Sequence, residues 1–261
     1  MKLVMLGSGG FLPTEEAQTA CYLLPEYGIL LDGGTGLYRL PQYLQTTSLD
    51  VYLSHTHGDH TNGLVYIFAS FFKNLLAEST APVDETVIQS VSQRANELMN
   101  SARIHVTAEM LPTLKANFIR FNFDWRILKA TEALPDGGIL SYFAFNPDRE
   151  EIGFRLAWPG HSLAYVTDTV ASPQATYIDQ IAGVDLLLHD CNLPDSKANL
   201  ARKINHSHTT AVAQIAAQAG VKRLLLIHKN PVGWPIDVDL PAARKIFPAT
   251  ELGQDGMEVD F

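Results

Sequence analysis

The segment that decides the fold is His55-Thr56-His57-Gly58-Asp59-His60, which holds four potential metal ligands in six residues. It follows an apolar run at residues 51–54 that is typical of a buried strand. In an extended segment, residues two apart point to the same side, so His55 and His57 can bind one ion together. Gly58 allows a sharp turn, after which Asp59 and His60 can face a second ion. Three histidines and an aspartate in this alternation favour a metal site over a histidine-rich surface loop.

Imidazole and carboxylate ligands suit Zn²⁺, Fe and Mn²⁺. We therefore expect two divalent ions, most of all Zn²⁺, at this segment.

Short apolar runs that end at Gly, Pro or acidic residues predict strands on both sides of this segment. The first three, at residues 2–6, 20–24 and 28–32, are expected to be antiparallel neighbours. Later runs predict strands at 117–123, 125–129, 139–145, 153–158, 162–167, 184–189 and 223–228. Helical spacing predicts a helical insertion at about residues 63–112 and a helix at Thr209–Ala219. The sequence thus predicts an α/β protein, an αββα sandwich of two mixed sheets with helices on the outer faces.

The length and the charge of the chain limit its domain count and the classes of function that it can have. The 261 residues include 19 Lys+Arg and 28 Asp+Glu, a net charge of −9, and we expect one domain over residues 1–261. The acidic balance opposes binding to a polynucleotide backbone, which depends on clustered basic residues. No apolar run approaches the roughly 20 residues of a membrane span. A short N-terminal strand in place of a signal sequence predicts a cytoplasmic protein, and the distant Cys21 and Cys191 predict no disulfide framework.

With these residues in view, the sequence resembles the metallo-β-lactamase superfamily, whose HxHxDH signature is matched by His55, His57, Asp59 and His60. The likeness extends to Leu31-Asp32-Gly33-Gly34 and to the segments at 164–169 and 225–228. The resemblance implies that Asp168 bridges the two metals and that His228 is the late ligand of the second. Without the signature, Asp168 would be read as a turn aspartate and His228 as a histidine at the end of a strand. With the signature present, both are expected to be metal ligands.

One ligand of that family is missing. The resemblance implies a further histidine about twenty residues before the bridging aspartate, as third ligand of the first metal, and Asn146 stands there. An amide oxygen binds zinc less well than a neutral imidazole does, so the first site should be weaker or partly occupied. His105 and Asp148 are alternative ligands, whereas His161 is expected at the tip of a hairpin.

Within the superfamily, the sequence is most similar to the ribonuclease Z-like branch, including small cyclic phosphodiesterases. The likeness lies in His208-Thr209-Thr210 before an Ala-rich helix. In that branch the matching histidine protonates the leaving oxygen, so His208 is the candidate general acid and His206 its rival. The alternative is that both residues only precede a helix.

The expected activity is hydrolysis of a small phosphodiester or cyclic phosphate, with Asp59 also orienting the attacking hydroxide. Because only about twenty residues separate Asn146 from Asp168, the basic insertion that grips tRNA in the family has no room, and tRNA is not the expected substrate. Alternatives are a lactone, thioester or sulfate-ester hydrolase, or a metal-binding regulatory module. Aromatic residues at 68, 71 and 72 suit a core, a homodimer interface or a roof over the site.

Overall fold

Two seven-stranded mixed sheets form the centre of the computed structural model, which describes residues 1–79, 82–146, 148–231 and 238–261. Along the chain the strands are β1 (Lys2–Gly7), β2 (Cys21–Leu24), β3 (Ile29–Leu31), β4 (Leu49–Tyr52), β5 (Ala102–Val106), β6 (Asp124–Ile127), β7 (Thr131–Ala133), β8 (Ile139–Ala144), β9 (Ile152–Trp158), β10 (His161–Val166), β11 (Leu186–Asp190), β12 (Arg223–Ile227), β13 (Thr250–Leu252) and β14 (Glu258–Asp260). The first sheet has the order β14-β1-β2-β3-β4-β5-β6 and the second β13-β12-β11-β10-β9-β8-β7. The strands β1, β2 and β3 pair antiparallel, as predicted.

The helices are α1 (Gly58–Thr61), α2 (Ile67–Glu78), α3 (Glu85–Asn100), α4 (Leu111–Asn117), α5 (Ile178–Ile181), α6 (Ala198–Lys203), α7 (Thr209–Ala219) and α8 (Leu240–Ile246). Short 3₁₀ segments lie at Thr35–Gln42, Asn62–Tyr66, Pro135–Gly137 and Asp195–Lys197. Helices α2 and α3 contact each other, and α7 packs on β11 and β12. Gly220 ends α7 in the left-handed conformation, as a helix C-terminus favours.

Alternating side chains of the central strands explain the layered packing. In β11, Leu186 and Leu188 point into an apolar core that both sheets share, whereas Leu187 points to a second core beneath α5, α7 and α8. A strand that is buried on both faces has a continuous apolar sequence, which is what residues 186–188 show. The predicted αββα sandwich is confirmed.

Two local predictions were wrong. The helical block at about 63–112 contains β5, which pairs in parallel with β4, because Ile104 and Val106 fill the core beside Val51. Residues 117–123, predicted as a strand, hold the end of α4 and a turn in which Phe118 and Phe123 pack edge to face. Short apolar runs fit both the helical and the strand period, so contacts across the sheet decide which structure forms.

The predicted site lies at one edge of the sandwich. Strands β10, β11 and β12 run parallel, so their carboxyl ends share that edge. Asp168 follows β10, Asp190 ends β11 and His228 follows β12. Strand β4 of the other sheet brings His55 to the same edge, and the Tyr165 hydroxyl donates to Asp32 Oδ2 at 2.5 Å between the sheets. Among the described residues, the helices all lack the length or apolarity needed to cross a bilayer.

Candidate metal centre

The structure brings six predicted ligands together in two groups. One group is His55, His57 and Asp168, and the other is Asp59, His60 and His228. Within each group the candidate ligand atoms lie within 4.8 Å of one another. These are the two sets that the sequence pattern and the family resemblance predict.

Asp168 is placed between the groups. Its Oδ1 lies 3.8 Å from His55 Nε2, whereas its Oδ2 lies 3.1 Å from His60 Nε2 and 3.3 Å from His228 Nε2. One carboxylate oxygen therefore faces each group. Asp168 and His228 both have left-handed backbones, with φ of 49° and 60°. Such strain in residues other than glycine is concentrated at functional sites.

The tautomer of His55 suits a metal ligand. The Ser54 hydroxyl has one hydrogen, which it donates to Asp32 Oδ2 at 2.7 Å, so it accepts from His55 Nδ1 at 2.9 Å. His55 Nε2 is then unprotonated, and it is buried without a hydrogen-bond partner among the described residues. A buried, unpaired lone pair is costly, and a cation at this position would satisfy it. The residues present therefore fit a divalent ion.

Asp32 also fixes His60. It accepts a bond from His60 Nδ1 at 2.6 Å, which turns the Nε2 atom of the ring towards Asp168. A carboxylate behind a ligand imidazole is the usual means of holding its orientation and raising its basicity. The sequence contained Asp32 in Leu31-Asp32-Gly33-Gly34, but its supporting role was not predicted.

The charges of the site favour a bound cation. Burial works against protonation of His60 and His228, yet nearby carboxylates, above all Asp168, raise the pKa of His60 well above its usual range and that of His228 to about 9. Burial, together with His60, lowers the pKa of His55 to about 3. Burial opposes ionisation of Asp168 as well, but His228, His60 and His55 hold its pKa well below the usual range. The carboxylates thus stabilise positive charge at this position, which favours a bound cation.

The two histidines near α7 are separated by the structure. His206 lines the cavity with Asp168 and His228, and its Nε2 lies 4.0 Å from Asp168 Oδ1. Its Nδ1 lies 3.1 Å from Oδ2 of the buried Asp190. His208 instead precedes α7 and pairs with Asp195 through Nδ1 at 2.6 Å. The geometry therefore favours His206 over His208 as the candidate, because the ring of His206 lines the cavity whereas the ring of His208 pairs with Asp195 and is not part of that lining.

Asn146 does not join the centre. Its side chain is exposed, and Oδ1 accepts the Asp148 amide at 3.0 Å within the same loop. Asp148 is exposed too, and His105 pairs with Asp50 Oδ1 at 2.7 Å. None of the three lines the cavity around the metal groups. Glu151, which was not predicted as a site residue, does line the cavity and is 4% exposed.

The loop before β9 holds Glu151 close to His55. The Ile152 amide donates to the Ser54 carbonyl at 3.0 Å, and the Thr56 hydroxyl donates to Glu150. Arg149 binds both carboxylate oxygens of Glu151, at 2.6 to 3.1 Å. A buried carboxylate and its paired guanidinium thus line the cavity beside the metal groups.

The centre opens into a cavity of about 420 Å³. It is lined by side chains of both metal groups and of the loops around them, namely Phe11, His57, Gly58, Asp59, Asn62, Arg149, Glu151, Asp168, Ile204, Asn205, His206 and His228. The volume suits a small-molecule ligand.

Comparison with known proteins agrees with the geometry. The profile of a family described as "Beta-lactamase superfamily domain" matches residues 27–229. The chain is 26% identical over 298 residues to ribonuclease Z of Saccharolobus solfataricus, covering 98% of this chain and 97% of that protein. In structure it is similar to the metallo-β-lactamase fold protein YhfI from Bacillus subtilis, with a TM-score of 0.74, 18% identity and 99% of both chains covered. It is also similar to a diphosphatase from the PhnP family, with a TM-score of 0.69, 16% identity and coverage of 100% and 96%.

Proposed function

The chain belongs to the β-lactamase superfamily, and from that premise we propose that it hydrolyses a small phosphodiester or cyclic phosphate with two divalent metal ions. The observation that carries this proposal is the position of Asp168, which offers one carboxylate oxygen to each ligand group. Two ions a few ångströms apart suit phosphoryl transfer, because both the attacking and the leaving oxygen carry charge.

The donors divide between the ions. His55, His57 and Asp168 would hold the first ion, and Asp59, His60, His228 and Asp168 the second. Bound divalent ions lower the pKa of water towards about 7 and neutralise charge on the ester oxygens. Zn²⁺ fits the imidazole-rich set best, and Mn²⁺ or Fe also bind such ligands.

Protein side chains would supply the proton for the leaving oxygen and would orient the attacking oxygen. His206 reaches the cavity with Nε2 while Asp190 holds Nδ1, so this ring can donate a proton to the leaving oxygen. Imidazole changes its charge state closest to neutral pH, which suits that role. Asp59 Oδ2 accepts the Phe11 amide at 2.7 Å and lies 3.2 Å from His228 Nε2. These contacts support Asp59 as a ligand that would also orient the attacking oxygen.

A small substrate is favoured over tRNA. Residues 152–166 form only the β9–β10 hairpin, so the described residues between Asn146 and Asp168 include no longer basic arm. The net charge of −9 adds to this argument. Because a relative is named ribonuclease Z, RNA hydrolysis is the competing activity. A lactone, thioester or sulfate ester is the alternative small substrate, since the fold does not determine the substrate.

The test is turnover by protein stripped with chelator and reloaded with Zn²⁺ or Mn²⁺. We expect hydrolysis of bis-p-nitrophenyl phosphate, loss of that activity in Asp168→Ala, and little activity on a lactone, a thioester, an aryl sulfate or a tRNA precursor. Turnover of one of those esters alone, or full activity of Asp168→Ala, would contradict the proposal. Binding of metal without turnover of any ester would favour a regulatory module.

A further inference from the structure

Phe11 has an unusual position at the mouth of the metal cavity. Its side chain is 66% exposed, and its backbone is left-handed with φ of 65°. An aromatic residue seldom adopts this conformation, and a large exposed apolar side chain gains nothing from water. Phe11 belongs to neither apolar core, and among the described residues its ring contacts no other aromatic ring. Folding alone therefore gives no reason for this ring.

The metal centre holds Phe11 in place. The Phe11 amide donates to Asp59 Oδ2 at 2.7 Å. The preceding residue, Gly10, lies so close to His228 that a Cβ there would stand 2.3 Å from the imidazole. The segment at 10–11 is thus fitted onto two ligand side chains of the second group. A strained residue that is tied to a catalytic group supports a role in function.

The lining of the cavity indicates what the ring would contact. Most of its side chains are charged or polar, and the exposed large apolar ones in it are Phe11 and Ile204, the latter 41% exposed. Ile204 lies two residues before His206, the proposed proton donor. An apolar pair beside ionic groups suits a substrate with an anionic head and a planar apolar arm.

Resting on the proposed phosphodiesterase function, we propose that Phe11 stacks on a planar aromatic group carried by one arm of the phosphate ester. The substrate class is then an aryl or nucleoside phosphodiester. An ester with only small alkyl arms lacks this contact. Aromatic stacking is tolerant of sequence and substituent, because any planar ring offers a π-face.

The test compares ligands that share one phosphate head. Binding of phenyl phosphate, thymidine 5′-monophosphate and methyl phosphate to the Zn²⁺-loaded protein is measured by calorimetry. We expect a planar ligand to bind about 10-fold or more tightly than methyl phosphate. Phe11→Ala should remove that preference, and Phe11→Tyr should keep it. Leu12→Ala is the matched control, because Leu12 is exposed and adjacent but lines a different cavity.

The outcomes separate this inference from the function on which it rests. Equal affinity for the three ligands, or a preference that survives in Phe11→Ala at unchanged metal content, would overturn the stacking role. Hydrolysis of phosphodiesters by such a protein would leave the proposed function standing. A preference lost in Phe11→Ala without any phosphodiester turnover would support stacking and contradict the function. A preference for phenyl phosphate indicates an aryl ester, and one for thymidine monophosphate alone indicates a nucleotide.

Discussion

Oδ2 of Asp32 lies 2.6 Å from Nδ1 of His60, and this contact determines which nitrogen of the imidazole faces the metal centre. The same carboxylate accepts the amide and hydroxyl of Ser54 and the hydroxyl of Tyr165. Four donors from three elements therefore converge on one buried residue. Asp32 links the first sheet, the second sheet and two of the proposed metal ligands.

Asp32→Asn should weaken metal binding, because the amide nitrogen would face hydrogen-bond donors. Loss of such an outer partner typically costs 10- to 100-fold in metal affinity. Competition with a chromogenic chelator measures the change. Asp136→Asn is the control, since Asp136 is exposed and has a similar left-handed backbone, with φ of 55° against 58°. An affinity equal to that of the control variant would show that Asp32 does not support the ligands.

Gly10→Ala tests the close approach to His228. The added methyl group would lie 2.3 Å from the imidazole, so the ring or the backbone at Gly10 must shift. We expect the second ion to be lost first, seen as a fall in bound zinc towards one ion per chain by elemental analysis. Gly9→Ala is matched in position, but its Cβ would meet Ala17 at 3.2 Å and no ligand. Two tightly bound ions in Gly10→Ala would contradict the assignment of His228.

The sequence was most informative where ligands follow strands directly. The pair His55 and His57 and the turn at Gly58 follow from local geometry, and the structure places them as expected. The choice between His206 and His208 could not be made in this way. It depends on which loop side chain meets Asp190, a residue from a strand that is distant in sequence. Glu151 was missed for the same reason, because its burial results from packing across the sheets.

His206→Gln should slow hydrolysis of a phosphodiester with an alkoxide leaving group by about 10²- to 10⁴-fold, the range for a lost general acid. The loss should be smaller with a p-nitrophenolate leaving group, which needs little protonation. His208→Gln should stay near the wild-type rate, because its ring pairs with Asp195 outside the cavity. The reverse result in a leaving-group series would restore His208 as the proton donor.

Glu151→Gln should lower affinity for the first ion about 10-fold or more, whether the carboxylate binds the ion or supports a ligand. Glu150→Gln is the neighbouring control, since an amide oxygen can still accept the Thr56 hydroxyl.

Asn146→His should leave metal content unchanged, because that side chain is exposed outside the cavity. Metal titration of this variant, of Glu151→Gln and of Glu150→Gln measures the affinity and the number of ions that each one binds. A gain of metal in Asn146→His would restore position 146 as a ligand site.

The lowered pKa of Asp50 predicts how the stability of the metal-free protein depends on pH. Burial works against the charged form, but hydrogen bonds from Arg103 and His105 outweigh it and lower the pKa of Asp50 to about 2. The unfolded chain binds this proton at a higher pH, near the ordinary value of 3.8. The stabilising contribution is therefore complete above about pH 5 and is lost as the pH falls from about 4 to about 2.

Asp50→Asn should accordingly lower the free energy of unfolding at pH 6, and the gap from the wild type should shrink as the pH falls through that window. Denaturant titrations in chelator at several pH values measure it. Asp124→Asn is the control, because the exposed pair of Asp124 with Arg126 contributes only about 0–1 kcal/mol. A gap that stays constant from pH 6 to the acid limit would show that the carboxylate of Asp50 gains no stability from its partners.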